Sequence, residues 1–241
     1  MPVQKTHRVV NEPKISARYL ADFMAASERT RRTILRGCKY QPIARLVQHD
    51  EAKSTISKFL RDGEGSTATL TEKANGLRNR MADSDFDRDL LDHNADYIDR
   101  FAEVFPDLDL PSVEFHPPGK ANPIELNGVK VTTEIQFRLR RLTKTNKIRV
   151  GGAAFRYAKG KSLSPEVANW QSAFMLGYLH QTVTEPEAEP EGQLCLTIDA
   201  SGGVCHRAPT DAVSRFNNMD AACATIAEWW PNIAPPDTAV F

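Results

Sequence analysis

Cationic side chains fall at two places in this chain with spacing suited to binding phosphate. Arg138 and Arg140 lie two residues apart in a segment that alternates apolar and polar residues, so both leave the same face of one strand. Lys144, Lys147 and Arg149 follow in a polar loop and the segment behind it. A two-stranded ribbon tipped with cations can enter a groove or track a phosphate backbone. Arg29, Arg31, Arg32 and Arg36 crowd one short helical segment and offer a second such surface. DNA or RNA is the partner these groups suggest. The same cations could instead face acids of the protein itself, above all the aspartates between Asp85 and Asp99.

Other constellations point to less. Cys205 and His206 are neighbours on a predicted strand, so their side chains leave opposite faces and cannot work as nucleophile and base. A tight turn at Gly202-Gly203 would set His206 opposite Asp199, which could orient its imidazole, but no serine or cysteine nucleophile accompanies the pair. The six histidines show no H-x-x-x-H spacing, and the four cysteines form no C-x-x-C pair. Gly63, Gly65 and Gly151-Gly152 match neither a P-loop nor a dinucleotide fingerprint.

These residues sit in a chain of 241 residues whose 31 cations balance 31 acids. The neutral total hides four blocks. Residues 1–49 carry ten Lys and Arg against three acids, and residues 50–111 carry eight against fifteen. Residues 112–162 carry eleven against three, and residues 163–241 carry two against ten. Blocks of one sign raise the local potential and steer partners of the other sign. The longest near-continuous apolar run, Ala173 to Leu179, is far short of the roughly 20 residues that span a bilayer. The opening residues lack the apolar core of a secretory signal. The expectation is therefore a cytoplasmic protein without a membrane partner.

The elements that must position the cations are legible from period and caps. Helices are expected after Ser16, after Ser27 (stopped by Gly37), after Asp50, from Thr69 or Thr71, and after Ser84 up to Pro106, with a loop at Asp62–Ser66. Residues 129–140 alternate strictly, which predicts one long strand that a polar loop joins to Ile148–Tyr157 as a β-hairpin. Ser164-Pro165-Glu166 opens a buried helix. An acidic loop at Thr184–Gly192 leads to a second hairpin across Ser201-Gly202-Gly203, then a last helix from Asn217 or Asn218 to Trp230. A short extra strand is expected near Val113–Phe115. The predicted fold is α+β: a helical region over 1–110, a β-β-α-β-β-α domain over 111–232, and a flexible tail over 233–241.

The order helix, long hairpin, buried helix, strand resembles the core of the PD-(D/E)XK, or restriction-endonuclease-like, superfamily over roughly Asp85 to Cys205. That resemblance implies an acid on one hairpin strand and an acid-x-Lys triplet on the next, together holding Mg²⁺ and activating water for phosphodiester cleavage. Glu134 stands where the first acid belongs, but Gly152-Ala153-Ala154-Phe155-Arg156 supplies neither acid nor lysine at the triplet. Asp199 is the other acid placed nearby, and Glu134 could alternatively pair across the strands with Arg156. The resemblance implies a non-catalytic, nuclease-like nucleic-acid-binding protein without a cofactor, an accessory of bacterial mobile-element or defence machinery. Two alternatives stay open: an interaction or scaffold subunit of a protein complex that uses its charge blocks, and a Mg²⁺-dependent nuclease built on Glu134 and Asp199.

Overall fold

The computed structural model describes residues 5–43, 49–63, 65–183 and 185–241. Glu64 of the expected loop Asp62–Ser66 and Thr184 of the expected acidic loop lie outside them. Serine hydroxyls start most of the helices, because each satisfies a backbone N–H that the first turn leaves free. Ser16 accepts from Tyr19 to begin α1 (Ala17–Ala25), and Ser27 accepts from Thr30 to begin α2 (Glu28–Lys39). Helix α3 (Asp50–Asp62) ends at Gly63, whose φ of 65° suits a residue without a side chain. Ser66 caps α4 (Thr67–Arg78) and Ser84 caps α5 (Asp85–Val104). Helix α6 (Pro165–Thr182) takes Pro165 at its first position, and α7 (Ala212–Trp229) starts five residues before the first asparagine expected to cap it. Gly37 does not stop α2, which runs on to Lys39.

The described residues also form ten strands: β1 (His7–Val9), β2 (Lys14–Ser16), β3 (Tyr40–Pro42), β4 (Glu114–His116), β5 (Ile124–Leu126), β6 (Val129–Thr132), β7 (Phe137–Leu142), β8 (Ile148–Arg156), β9 (Ala188–Asp199) and β10 (Val204–Arg207). The main sheet has the order β10-β9-β8-β7-β4. Strands β7 and β8 form one antiparallel hairpin, β9 and β10 the other. Between them β8 and β9 run parallel, joined over the face of the sheet by α6. The molecule is thus α+β; from β7 onward the order is the expected β-β-α-β-β-α, β4 occupies the place of the short extra strand, and β1, β2, β3 and β5 are strands the sequence did not announce.

The long strand expected over 129–140 is instead two strands in two sheets. Strand β6 lies between β2 and β5 in a three-stranded sheet, and β7 lies in the main sheet. Thr133–Gln136 breaks the ladder while Val129, Val131, Ile135, Phe137 and Leu139 all stay buried. Alternation survives because the segment passes from one core to the other. Val129, Val131 and Ile135 pack with Leu20, Phe174, Met219 and Trp230. Phe137 and Leu139 pack with Ile56, Leu70, Ile98 and Phe101.

Those two cores flank the main sheet. Helices α3, α4 and α5 supply one, and α1, α2, α6 and α7 supply the other. Residue 110 is therefore not a packing boundary, since the N-terminal helices divide between the two cores. The stretch 233–241 is held in place. Val240 accepts from the Thr6 N–H at 2.9 Å and returns its own N–H to Thr6 Oγ1, and Phe241 packs 5.5 Å from Tyr40. No helix among the described residues is long and apolar enough to cross a membrane.

Candidate functional site

The arginines of the β7–β8 hairpin are engaged by the protein itself. Arg138 donates to the Pro118 carbonyl at 2.8 Å. Arg140 meets Glu185 at 3.1 Å and Glu114, its register partner on β4, at 3.8 Å. Arg141 donates twice to Glu191, at 3.0 and 2.5 Å. Arg149 pairs with Glu189, its partner in the parallel register of β8 and β9. Three of these glutamates, Glu185, Glu189 and Glu191, belong to the stretch expected to be an acidic loop. Strand β9 begins inside that stretch, at Ala188, and so carries Glu189 and Glu191 to the hairpin. Lys144 and Lys147 at the tip are exposed, and among the described residues neither has an ion-pair partner. The aspartates of α5 do not shield the hairpin arginines. Asp96 and Asp99 bind Arg78 at 2.9 and 2.6 Å, and Asp96 also takes Lys159 at 2.6 Å. Hydrogen bonds from Lys159 and Arg78 hold the Asp96 carboxyl below its usual pKa.

Glu134 and Asp199 serve different ends. Glu134 accepts two bonds from Lys53 Nζ, at 2.9 and 2.8 Å. Asp199 is 2% exposed and accepts from the backbone N–H groups of Leu163 and Ser201, at 2.7 and 3.0 Å. It organises the β9–β10 turn, where a Cβ at Gly202 would stand 2.4 Å from its Oδ2. Among the described residues no three His, Cys, Asp or Glu side chains gather as a metal site. Two expected pairings are also replaced. Arg156 does not face Glu134; it is buried against Gln171, the Arg18 carbonyl and Asp22. Burial lowers its pKa, and Asp22 opposes that shift. His206 stands opposite Thr197 rather than Asp199, because the turn holds four residues between β9 and β10.

An aromatic trio that the sequence did not reveal lies nearby. Tyr97 stacks on Tyr157 at 4.2 Å, and His49 meets both rings edge-on at 5.5 and 5.4 Å. Burial raises the Tyr97 pKa and lowers that of His49, which Lys53 and His93 lower further.

The arginines of α2 divide into two kinds. Arg31 donates to the Phe23 and Met24 carbonyls at 2.9 and 3.1 Å and so closes the end of α1. Arg32 pairs with Glu28 at 2.9 Å and lies 4.7 Å from the Trp229 ring centre. Arg29 and Arg36 are exposed and, among the described residues, have no ion-pair partner. Seven residues apart, they share one line along the helix, adjacent to Thr33.

Thr33 lines a groove of about 910 Å³ bounded by α2, the first turn of α1, β2 and the β1–β3 pair. Its charged side chains are Arg8 and Lys14, and no carboxylate lines it among the described residues. Arg8 is oriented by Gln41 Oε1 through bonds of 2.9 and 2.6 Å, and an amide leaves its charge uncancelled. Lys14 lies beside Lys130 in the parallel pairing of β2 and β6, so the two ammonium groups leave the same face. Tyr19, half exposed at 50%, forms part of the wall. Glu125 stands opposite Lys130 in the pairing of β5 and β6, but Arg8 and Lys14 have no ion-pair partner among the described residues, and such cations sustain a positive local potential that concentrates anions. Arg8, Lys14 and Tyr19 were absent from the sequence-based site; the excess of cations over residues 1–49 is the signal that pointed toward them. No protein-family model and no curated protein matches this chain.

Proposed function

We propose that this protein is a non-catalytic, nuclease-like nucleic-acid-binding protein that holds phosphates along the groove beneath α2, with Arg8 and Lys14 in the groove and Arg29 and Arg36 on the neighbouring face of α2. The carrying observation is that groove: two lining cations and no carboxylate among the described lining residues, with Arg29 and Arg36 on the neighbouring face of α2, where Arg36 lines a separate pocket with Trp229 and Glu228. The hairpin contributes only Lys144 and Lys147 as cations without a partner, so it is not the main contact. Glu134 and Asp199 support no cleavage reaction in this reading, because Lys53 and two backbone N–H groups already engage them.

Fluorescence anisotropy with labelled oligonucleotides across a salt series tests the reading. Four phosphate contacts predict a log–log salt slope of roughly −3, since each contact contributes about −0.7 to −0.9. Replacing Arg8 and Lys14 together by Gln should weaken binding about tenfold or more and flatten the slope by about 1.4 to 1.8. Absence of binding at about 50 mM salt, or binding indifferent to salt, would overturn the proposal.

A further inference from the structure

We infer that the groove takes single-stranded rather than duplex nucleic acid, with Tyr19 as a platform on which a base stacks. This rests on the reading above and specifies its ligand. Tyr19 occupies the first turn of α1, where its backbone N–H is fixed by Ser16 Oγ at 3.2 Å. Half of its surface is open, and among the described residues its ring pairs with no other aromatic ring and with no cation. In the groove wall Ile15 and Cys38 are buried while Tyr19 and Ile43 are open, so the tyrosine ring and an apolar neighbour stand exposed beside the cations. An unpaired tyrosine face can accept any base, because every base has a π-face.

Shape points the same way. Proteins that read duplexes commonly send a projecting helix or two-stranded ribbon into the DNA groove. Here the cationic hairpin β7–β8 does not project, since it lies inside the main sheet between β4 and β9, and its arginines are bound to Pro118, Glu114, Glu185, Glu189 and Glu191. Arg8 and Lys14, which have no ion-pair partner among the described residues, instead line a concavity. A single strand can descend into that concavity, place its phosphates against Arg8 and Lys14, and turn a base onto Tyr19. In a duplex the bases are already stacked on one another and the outer surface is convex, so its contact reduces to phosphates at the rim.

The test compares one labelled oligonucleotide with the duplex made from it, for the full chain and for Tyr19→Leu, Tyr19→Phe and the Arg8→Gln/Lys14→Gln double variant. The single strand is expected to bind at least about tenfold more tightly than the duplex. Tyr19→Leu should weaken single-strand binding by about tenfold, the loss of one stacked base, and leave duplex binding unchanged. Tyr19→Phe, which keeps the ring, should stay within about twofold of the parent. Because Tyr19 is half exposed, an unchanged melting temperature is the control for folding. Duplex binding equal to or tighter than single-strand binding overturns the inference. So does a silent Tyr19→Leu in a protein that the double variant still weakens, and in that case the phosphate-binding groove survives. If the double variant is also silent, or neither nucleic acid binds, the underlying reading falls as well.

Discussion

On the β7–β8 hairpin, Arg140, Arg141 and Arg149 each face a glutamate; beneath α2, Arg8 faces the amide of Gln41 and Lys14 lies beside another lysine. Both regions come from blocks of the chain in which cations outnumber acids by more than three to one. They differ in what the fold brings to them. Strand β9 enters the main sheet parallel to β8 and delivers the acidic block onto the hairpin. The three-stranded sheet around β6 brings Lys14 and Thr132 to the groove and no acid to its described lining, Glu125 standing one strand away opposite Lys130. Exposed pairs of the hairpin kind stabilise by only about 0–1 kcal/mol each, so their main effect is to cancel a field. A count of arginines therefore locates a binding surface only after the partners are known.

If the hairpin is framework and the groove is the binding surface, damage to the hairpin should appear in stability. Gly151 gives the largest expected effect. It sits at the irregular step in the β8–β9 pairing, where an added Cβ would lie 2.0 Å from the Leu194 carbonyl oxygen and 2.3 Å from Leu194 Cβ. Backbone cannot yield as a flexible side chain can, so Gly151→Ala should cost about 3 kcal/mol, at the upper end of overpacking. A shift in the urea midpoint measures this. The folded fraction should still bind nucleic acid as the parent does, and a parent-like midpoint would show that β8 and β9 are less tightly joined than described.

Removing the acids should move the hairpin toward the behaviour of the groove. Glu189→Gln with Glu191→Gln frees Arg149 and Arg141 while keeping side-chain shape. Affinity for oligonucleotides should rise several-fold and the salt slope should steepen by up to about 1.4 to 1.8, with stability changed by less than about 1 kcal/mol per pair. An unchanged slope would mean that the hairpin lies beyond reach of a strand bound in the groove. The contrast between the two surfaces would then owe more to geometry than to charge.

The same comparison explains what the sequence revealed. Local signals read correctly: Ser16, Ser27 and Ser84 as caps, Ser164-Pro165 as the start of α6, and period-two alternation as strand. Signals that depend on distant partners did not. Alternation through Thr133–Gln136 could not show that Val131 and Phe137 face different cores, since each core asks for the same pattern. Glu189 and Glu191 read as loop residues because Pro190 and Gly192 interrupt them, yet Pro190 aligns with Val150 as β9 enters the sheet. Of the cations proposed from sequence, Arg29 and Arg36 remain exposed without an ion-pair partner among the described residues on the neighbouring face of α2, as do Lys144 and Lys147 at the hairpin tip. Arg8, Lys14 and Tyr19 escaped notice because the groove assembles from segments more than a hundred residues apart, with Thr132 closing a wall begun by Lys14.

Acidification gives the smallest expected effect and separates the two properties most cleanly. Burial lowers the pKa of His49 and of His206 from the ordinary 6.5, Asp199 partly opposing the shift at His206. Both imidazoles bind protons more readily in the unfolded chain, so their contribution to stability is present above pH 6.5 and is lost as the pH falls through their folded values. The urea midpoint should decline between about pH 7.5 and 5.5, and the His49→Gln/His206→Gln variant should decline less. The groove has no histidine or carboxylate in its described lining, and His7, next to Arg8 on β1, leaves the opposite face of its strand. Oligonucleotide affinity should therefore stay level over the same range at constant salt. Binding that tightens on acidification would bring a histidine into the interface and shift the contact away from Arg8 and Lys14.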